Sequence, residues 1–81
     1  MVKIAVCDDE KTYIDEVLKI IDNIEDTEIT TYISPKELLD SVNEFDIFVI
    51  DIEMPEIDGM FLAKEIREAR EDAIIIFLTN L

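Results

Sequence analysis

The sequence predicts an α/β fold, an open parallel sheet with the chain running βαβαβαβ. Four short runs would form the strands: Val2–Cys7, 28–33, 45–50 and 73–78, each rich in β-branched, aromatic or other apolar residues. Between them lie stretches whose apolar residues recur at helical spacing. Such alternation lays helices on both faces of a parallel sheet through right-handed crossovers, and it gathers the C-terminal ends of the strands on one rim.

The first strand, Val-Lys-Ile-Ala-Val-Cys, halts at Asp8-Asp9, as a strand covered on both faces does where it leaves the core. Over 11–23, Ile14, Val17, Leu18 and Ile21 fall at i, i+3, i+4 and i+7 and share one helical stripe, with Asp15, Glu16, Lys19 and Asp22 off it. Residues 28–33 supply Ile29, Thr30, Thr31, Tyr32 and Ile33, which suit a strand. Ser34-Pro35 then reads as the N-cap and first-turn proline of a second helix whose apolar face is Leu38, Leu39 and Val42. Residues 45–50 are the most apolar strand, and Asp51 ends it. After a loop over 51–58, Gly59 opens a third helix with Leu62, Ala63, Ile66 and Ala69 on one face. Residues 73–78, Ala-Ile-Ile-Ile-Phe-Leu, form a fourth strand of the buried type, closing at Thr79.

Composition bounds the function. At 81 residues the chain makes one small domain, which hides only roughly 60% of its unfolded surface. Hydrophobic residues at 49%, with one Gly and two Pro, are enough for a core and argue against disorder. A net charge of −14, from 21 acids against 7 bases, disfavours a nucleic-acid backbone or an anionic membrane as partner. Cations and basic protein surfaces fit better. Cys7 has no second cysteine to pair with, fits a reducing compartment and reads as a small core residue. No leader-peptide pattern opens the chain and no apolar run approaches a membrane span, so the expectation is a cytoplasmic, soluble module.

The rim carries the chemistry. Asp8-Asp9, Asp51 and Thr79 would bring oxygen-bearing groups from three strands to one edge, where open parallel sheets collect their ligands. Converging carboxylates repel unless a cation sits among them. Hard oxygen donors, with no His and one apolar Cys, suit Mg²⁺, which takes one or two carboxylates and fills its octahedron with water and phosphate oxygens. A carboxylate can act as a nucleophile and become an aspartyl phosphate, and Asp51 is central on the rim. Metal held by Asp9 and Asp51 would neutralise transition-state charge, and Thr79 could hydrogen-bond a phosphoryl oxygen. Taken singly these residues have plainer readings: a solvated helix-start pair for Asp8-Asp9, a strand-end hydroxyl for Thr79, turn and helix-start residues for Pro55 and Gly59, surface charge for Glu10, Glu56, Asp58 and the side chain of Glu53, and packing for Met54, Met60 and Phe61.

Asp8-Asp9, Asp51-Ile-Glu-Met-Pro55 through Asp58-Gly59, and Phe77-Leu-Thr79, in that order and spacing, resemble the receiver domain of two-component response regulators. The resemblance covers all 81 residues. It implies a flavodoxin-like fold, a phosphoryl group taken by Asp51 from a histidine kinase or a small phosphodonor, and Mg²⁺ bound by Asp9, Asp51 and the backbone carbonyl of Glu53. It also implies that Asp8 acts mainly through coordinated water and that Thr79 is the switch hydroxyl turning toward the phosphoryl group. The wording Asp-Ile-Glu-Met-Pro and Phe-Leu-Thr-Asn looks most like receivers that carry a LytTR-type DNA-binding domain. On this resemblance the chain is the N-terminal two thirds of a receiver, lacking the last helix, strand and helix and the lysine that meets the phosphoryl group; Lys3, Lys11, Lys36 and Lys64 lie in other elements. A bare fourth strand is a template for pairing, which predicts a homo-oligomer through that strand or the uncovered sheet face.

Two other classes fit part of the pattern. A haloacid-dehalogenase-like phosphohydrolase also uses an aspartate nucleophile with Mg²⁺, but its second Asp follows by two positions, where this chain has Glu53. A non-catalytic acidic interaction module would make the rim carboxylates solubilising charge, and Asp9→Asn would then leave metal binding unchanged.

Overall fold

The computed structural model describes residues 1–55 and 57–78. Glu56 and Thr79, the expected phosphoryl-contacting hydroxyl, lie outside the described residues. The elements run β1 (Val2–Cys7), α1 (Lys11–Ile21), β2 (Thr27–Tyr32), α2 (Pro35–Asp40), a 3₁₀ turn (Val42–Glu44), β3 (Ile47–Asp51), α3 (Gly59–Ala69) and β4 (Ile74–Leu78). The four strands form one parallel sheet in the order β2-β1-β3-β4. This is the α/β architecture the alternating pattern predicts, and its order places β1 and β3, whose ends carry Asp8 and Asp51, side by side.

Strand alternation divides the core into two faces. Ala5, Cys7, Phe48 and Ile50 face α2 and α3 and pack with Leu38, Val42, Phe45, Leu62 and Ile66. Ile4, Val6, Ile47 and Val49 face α1 and pack with Ile14, Val17 and Leu18. Asp51 continues the alternation of Ile47 and Val49, so it is the polar end of a row that is apolar everywhere inside the sheet.

Several boundaries differ from the periodicity, each for a visible reason. Strand β3 begins at Ile47 because Asp46 is used as a clasp: its Oδ2 accepts from the Lys3 N–H at 2.9 Å, and its own N–H donates to the Lys3 carbonyl at 2.8 Å. Phe45 is core rather than strand, stacked edge-on between Tyr32 and Phe48. Helix α1 stops at Ile21, with the Asn23 side chain donating to the Lys19 carbonyl at 3.2 Å. Ser34 holds the N-cap position of α2 without a side-chain cap bond. Ala69, the last residue of α3, is exposed instead of facing the core. Met60 and Phe61 are also exposed, at 57% and 51%, while Met54 is buried as expected.

The C-terminal end of α3 is riveted by arginines. Arg70 donates to the carbonyls of Val42 and Phe45, and Arg67 to those of Glu71 and Ala73. These bonds satisfy carbonyls that the 3₁₀ turn and the α3–β4 connection leave without ladder partners.

Candidate functional site

Two strand ends and the turn after β1 build the site. Asp8 follows β1 directly and is 2% exposed; its Oδ1 accepts the Glu10 N–H at 2.9 Å, which folds the chain into α1. Asp51 ends β3 half-buried, and its Oδ1 accepts the Glu53 N–H at 3.3 Å, which starts the turn into the next loop. Asp9 is exposed at the lip. One carboxylate oxygen from each of Asp8, Asp9 and Asp51 lies within 4.8 Å of the others.

Crowding of this kind has electrostatic consequences. Burial pushes the Asp8 carboxyl up to about 6, with the Asp51 and Asp9 carboxylates adding to the rise and the Glu10 N–H opposing it. Cys7, directly beneath, is pushed up to about 12, first by burial and then by the same carboxylates. Its thiol stays protonated at neutral pH and donates to the Met54 sulfur at 3.9 Å, so it is core rather than nucleophile or ligand.

The donor set suits a hard divalent cation. An octahedral ion with bonds of about 2.0–2.1 Å spans about 4.2 Å between opposite oxygens, so a trio already within 4.8 Å closes on it by small side-chain movements. All the donors are oxygens, and among the described residues no thiolate or imidazole competes.

The loop from Asp51 to α3 is closed by Asp58 and Gly59. Asp58 caps α3, its Oδ1 accepting from the N–H groups of Met60 at 2.8 Å and Phe61 at 3.1 Å. Gly59 donates to the Ile52 carbonyl at 2.8 Å, and its φ is not left-handed. A Cβ there would lie 2.2 Å from the Asp51 carbonyl oxygen and 2.7 Å from Ile52 Cα. Glycine is therefore required by close approach and not by turn conformation. An Asp at the residue before a helical stripe was a legible cap signal; the close approach had no local signal.

Comparison with known proteins now gives the lineage. The response regulator receiver domain family matches residues 4–81. The chain belongs to this family. Response regulator SaeR of Staphylococcus aureus is 34% identical over 80 residues, which are 98% of this chain and 35% of SaeR. The chain thus spans about a third of the length of the curated relatives it matches. Among solved structures, a response regulator receiver domain protein from Clostridium thermocellum is 30% identical with a TM-score of 0.85, over 98% of this chain and 65% of that one. The BeF3-activated receiver domain of DrrB, a Thermotoga maritima OmpR/PhoB homologue, is 28% identical with a TM-score of 0.87, over 100% of this chain and 68% of that one. The resemblance read from the Asp motifs and the flavodoxin-like fold it implied are both borne out.

Proposed function

We propose that this receiver accepts a phosphoryl group on Asp51 from a sensor histidine kinase, with Mg²⁺ held by Asp9, Asp51 and the Glu53 carbonyl and, through water, by Asp8. The observation that carries this reading is the Asp51 carboxylate, at the C-terminal end of a central strand and within 4.8 Å of two further carboxylates. Mg²⁺ bound there supplies charge neutralisation for the phosphoryl oxygens. The chain's own residues do the rest. Asp51 presents an oxygen that forms the new P–O bond while the donor's P–N or P–O bond breaks, the electron pair leaving with the donor. The Glu53 N–H holds Asp51 through Oδ1, and Thr79 contacts the phosphoryl group as the switch hydroxyl. A similar receiver domain, that of DrrB, is activated by BeF3, which supports a signalling role for the same site here.

On this reading the chain is a phosphoacceptor signalling module of the cytoplasm and not a turnover enzyme. No described helix is long and apolar enough to cross a membrane. The chain spans 65% and 68% of the two solved receiver chains. Among the described residues, strand β4 is an edge of the sheet, free of charged residues, with Ile74, Ile76 and Phe77 exposed. It pairs with β4 of a second copy, the self-complementary arrangement a two-fold allows.

The deciding experiment is the intact mass of the chain after incubation with Mg²⁺ and a small phosphodonor, beside Asp51→Asn. A phosphoryl adduct on the wild type alone is expected. An equal adduct on both chains, or none on either, overturns the assignment of Asp51. If Mg²⁺ also leaves the melting curve unchanged, the reading as a non-catalytic acidic interaction module takes its place.

A further inference from the structure

We infer that Asp58 and Gly59 are positioning residues for the carboxylate site, together setting where the Asp51–Ile52 peptide lies. This goes beyond the phosphoacceptor reading but rests on it. The atoms a Gly59 Cβ would strike, the carbonyl oxygen and carbon of Asp51 and the Cα of Ile52 at 2.2, 2.9 and 2.7 Å, all belong to the backbone and cannot swing aside. Helix α3 cannot retreat either, because Leu62 and Ile66 are fully buried and Ala63 is nearly so. The loop must therefore yield. Its first peptide carries the Asp51 side chain on one end and leads into Glu53, whose N–H holds Asp51 Oδ1.

Asp58 keeps the helix start in register with that peptide. Its Oδ1 gathers the N–H groups of Met60 and Phe61, its carbonyl accepts from Leu62 at 3.1 Å, and the next residue's N–H reaches the Ile52 carbonyl. The backbone of the Asp51 end is thus clamped to a buried helix. A carboxylate trio that must close on an ion needs such a fixed root, as outer-shell partners of metal ligands commonly provide.

The test is the Mg²⁺ dissociation constant, read from thermal shifts across a MgCl₂ series, for the full chain and for Gly59→Ala, Asp58→Ala, Asp58→Asn and Asp51→Asn. Gly59→Ala should weaken binding by about tenfold or more, the range for lost outer-shell support. Asp58→Ala should weaken it less, and Asp58→Asn should recover it, since an amide oxygen accepts the same two N–H groups. Phosphoryl adduct formation should follow the same order. A Gly59→Ala chain that binds Mg²⁺ as the wild type does overturns the inference and leaves the functional reading standing. If Gly59→Ala does not fold, equal affinities for Asp58→Ala and Asp58→Asn overturn it. A wild type that responds to Mg²⁺ no more than Asp51→Asn removes the functional reading and this inference with it.

Discussion

The two faces of the sheet are built to different depths. Toward α2 and α3, the central residues Ala5, Cys7, Phe48 and Ile50 are all fully buried, and two helices and a 3₁₀ turn close over them. Toward α1, a single helix covers Ile4, Val6 and Val49, and the row then runs out into Ile74 and Ile76 on β4, exposed at 55% and 48%. Register makes the contrast direct, because Ile47 pairs with Ile74 and Val49 with Ile76. Stability is expected to reside on the thick face. Asp51 belongs by alternation to the thin one, at the strand's end, where it is only half-buried.

The largest test of this contrast is a pair of truncations. Phe48→Ala empties the thick face and should cost about 3–5 kcal/mol, a large share of the roughly 5–15 kcal/mol that holds a domain together. Ile14→Ala on the thin face should cost about 2 kcal/mol, the low end for such a change, because its surroundings can relax toward the open side. Urea midpoints decide it. Equal losses would mean that the single helix carries as much of the fold as the other two.

Next in size is the pH response of Asp8. Burial pushes its carboxyl up to about 6 in the folded chain, from 3.8 for a free side chain. Between about pH 4 and 6 the native state therefore holds a proton that the unfolded chain has released, so the raised value stabilises at low pH and that stability is lost as pH rises. In metal-free buffer, Asp8→Asn should remove this component of the decline. A wild type and an Asp8→Asn chain whose stability difference stays constant from about pH 4 to 7 would contradict it. Mg²⁺ should oppose the decline by favouring the ionised trio.

How much of this was legible in the sequence follows the same division. The strands and helices were readable because β-branched runs and i, i+3, i+4 stripes are local signals, and Asp51 was readable because a charge directly after Phe-Val-Ile can only sit at a strand's tip. The convergence of Asp8 with Asp51 needed the sheet order, which alternation of elements implies without any single residue stating it. What escaped was contact that depends on three-dimensional approach. Gly59 sits against the Asp51 carbonyl, Arg70 reaches back to Val42 and Phe45 across more than 20 residues of sequence, and Met60 and Phe61 point outward despite their apolar character. Periodicity reports which residues share a face, and it is silent on where a helix ends relative to the sheet beneath it.

Arg70 separates a structural role from a nominal ion pair at the corner of the thick face. Its partner Asp72 is 80% exposed, and the Arg70 guanidinium, through its hydrogen bond and its charge, holds that carboxyl below its usual value. Water screens such a pair, so Asp72→Ala should leave the urea midpoint unchanged. Arg70→Ala removes donors from the Val42 and Phe45 carbonyls and should cost about 1–3 kcal/mol. Equal effects from the two variants would assign the value to the ion pair instead.

Ile76→Lys should change stability little, and it tests the thin face most sharply. Ile76 is nearly half exposed, so its replacement should shift the folding free energy by no more than about 0.5 kcal/mol. Yet it sits on an edge strand whose neighbours Ile74, Ile75 and Phe77 are all apolar, and a lysine on such an edge is the usual device against strand pairing. Light scattering at high concentration should give the wild type a mass above that of a single 9.4 kDa chain and give Ile76→Lys the mass of one. A compact wild-type monomer would mean that the exposed isoleucines of β4 are tolerated singly, as scattered apolar side chains on a surface can be. The shallow cover of this face would then be a property of the isolated chain and not a means of assembly.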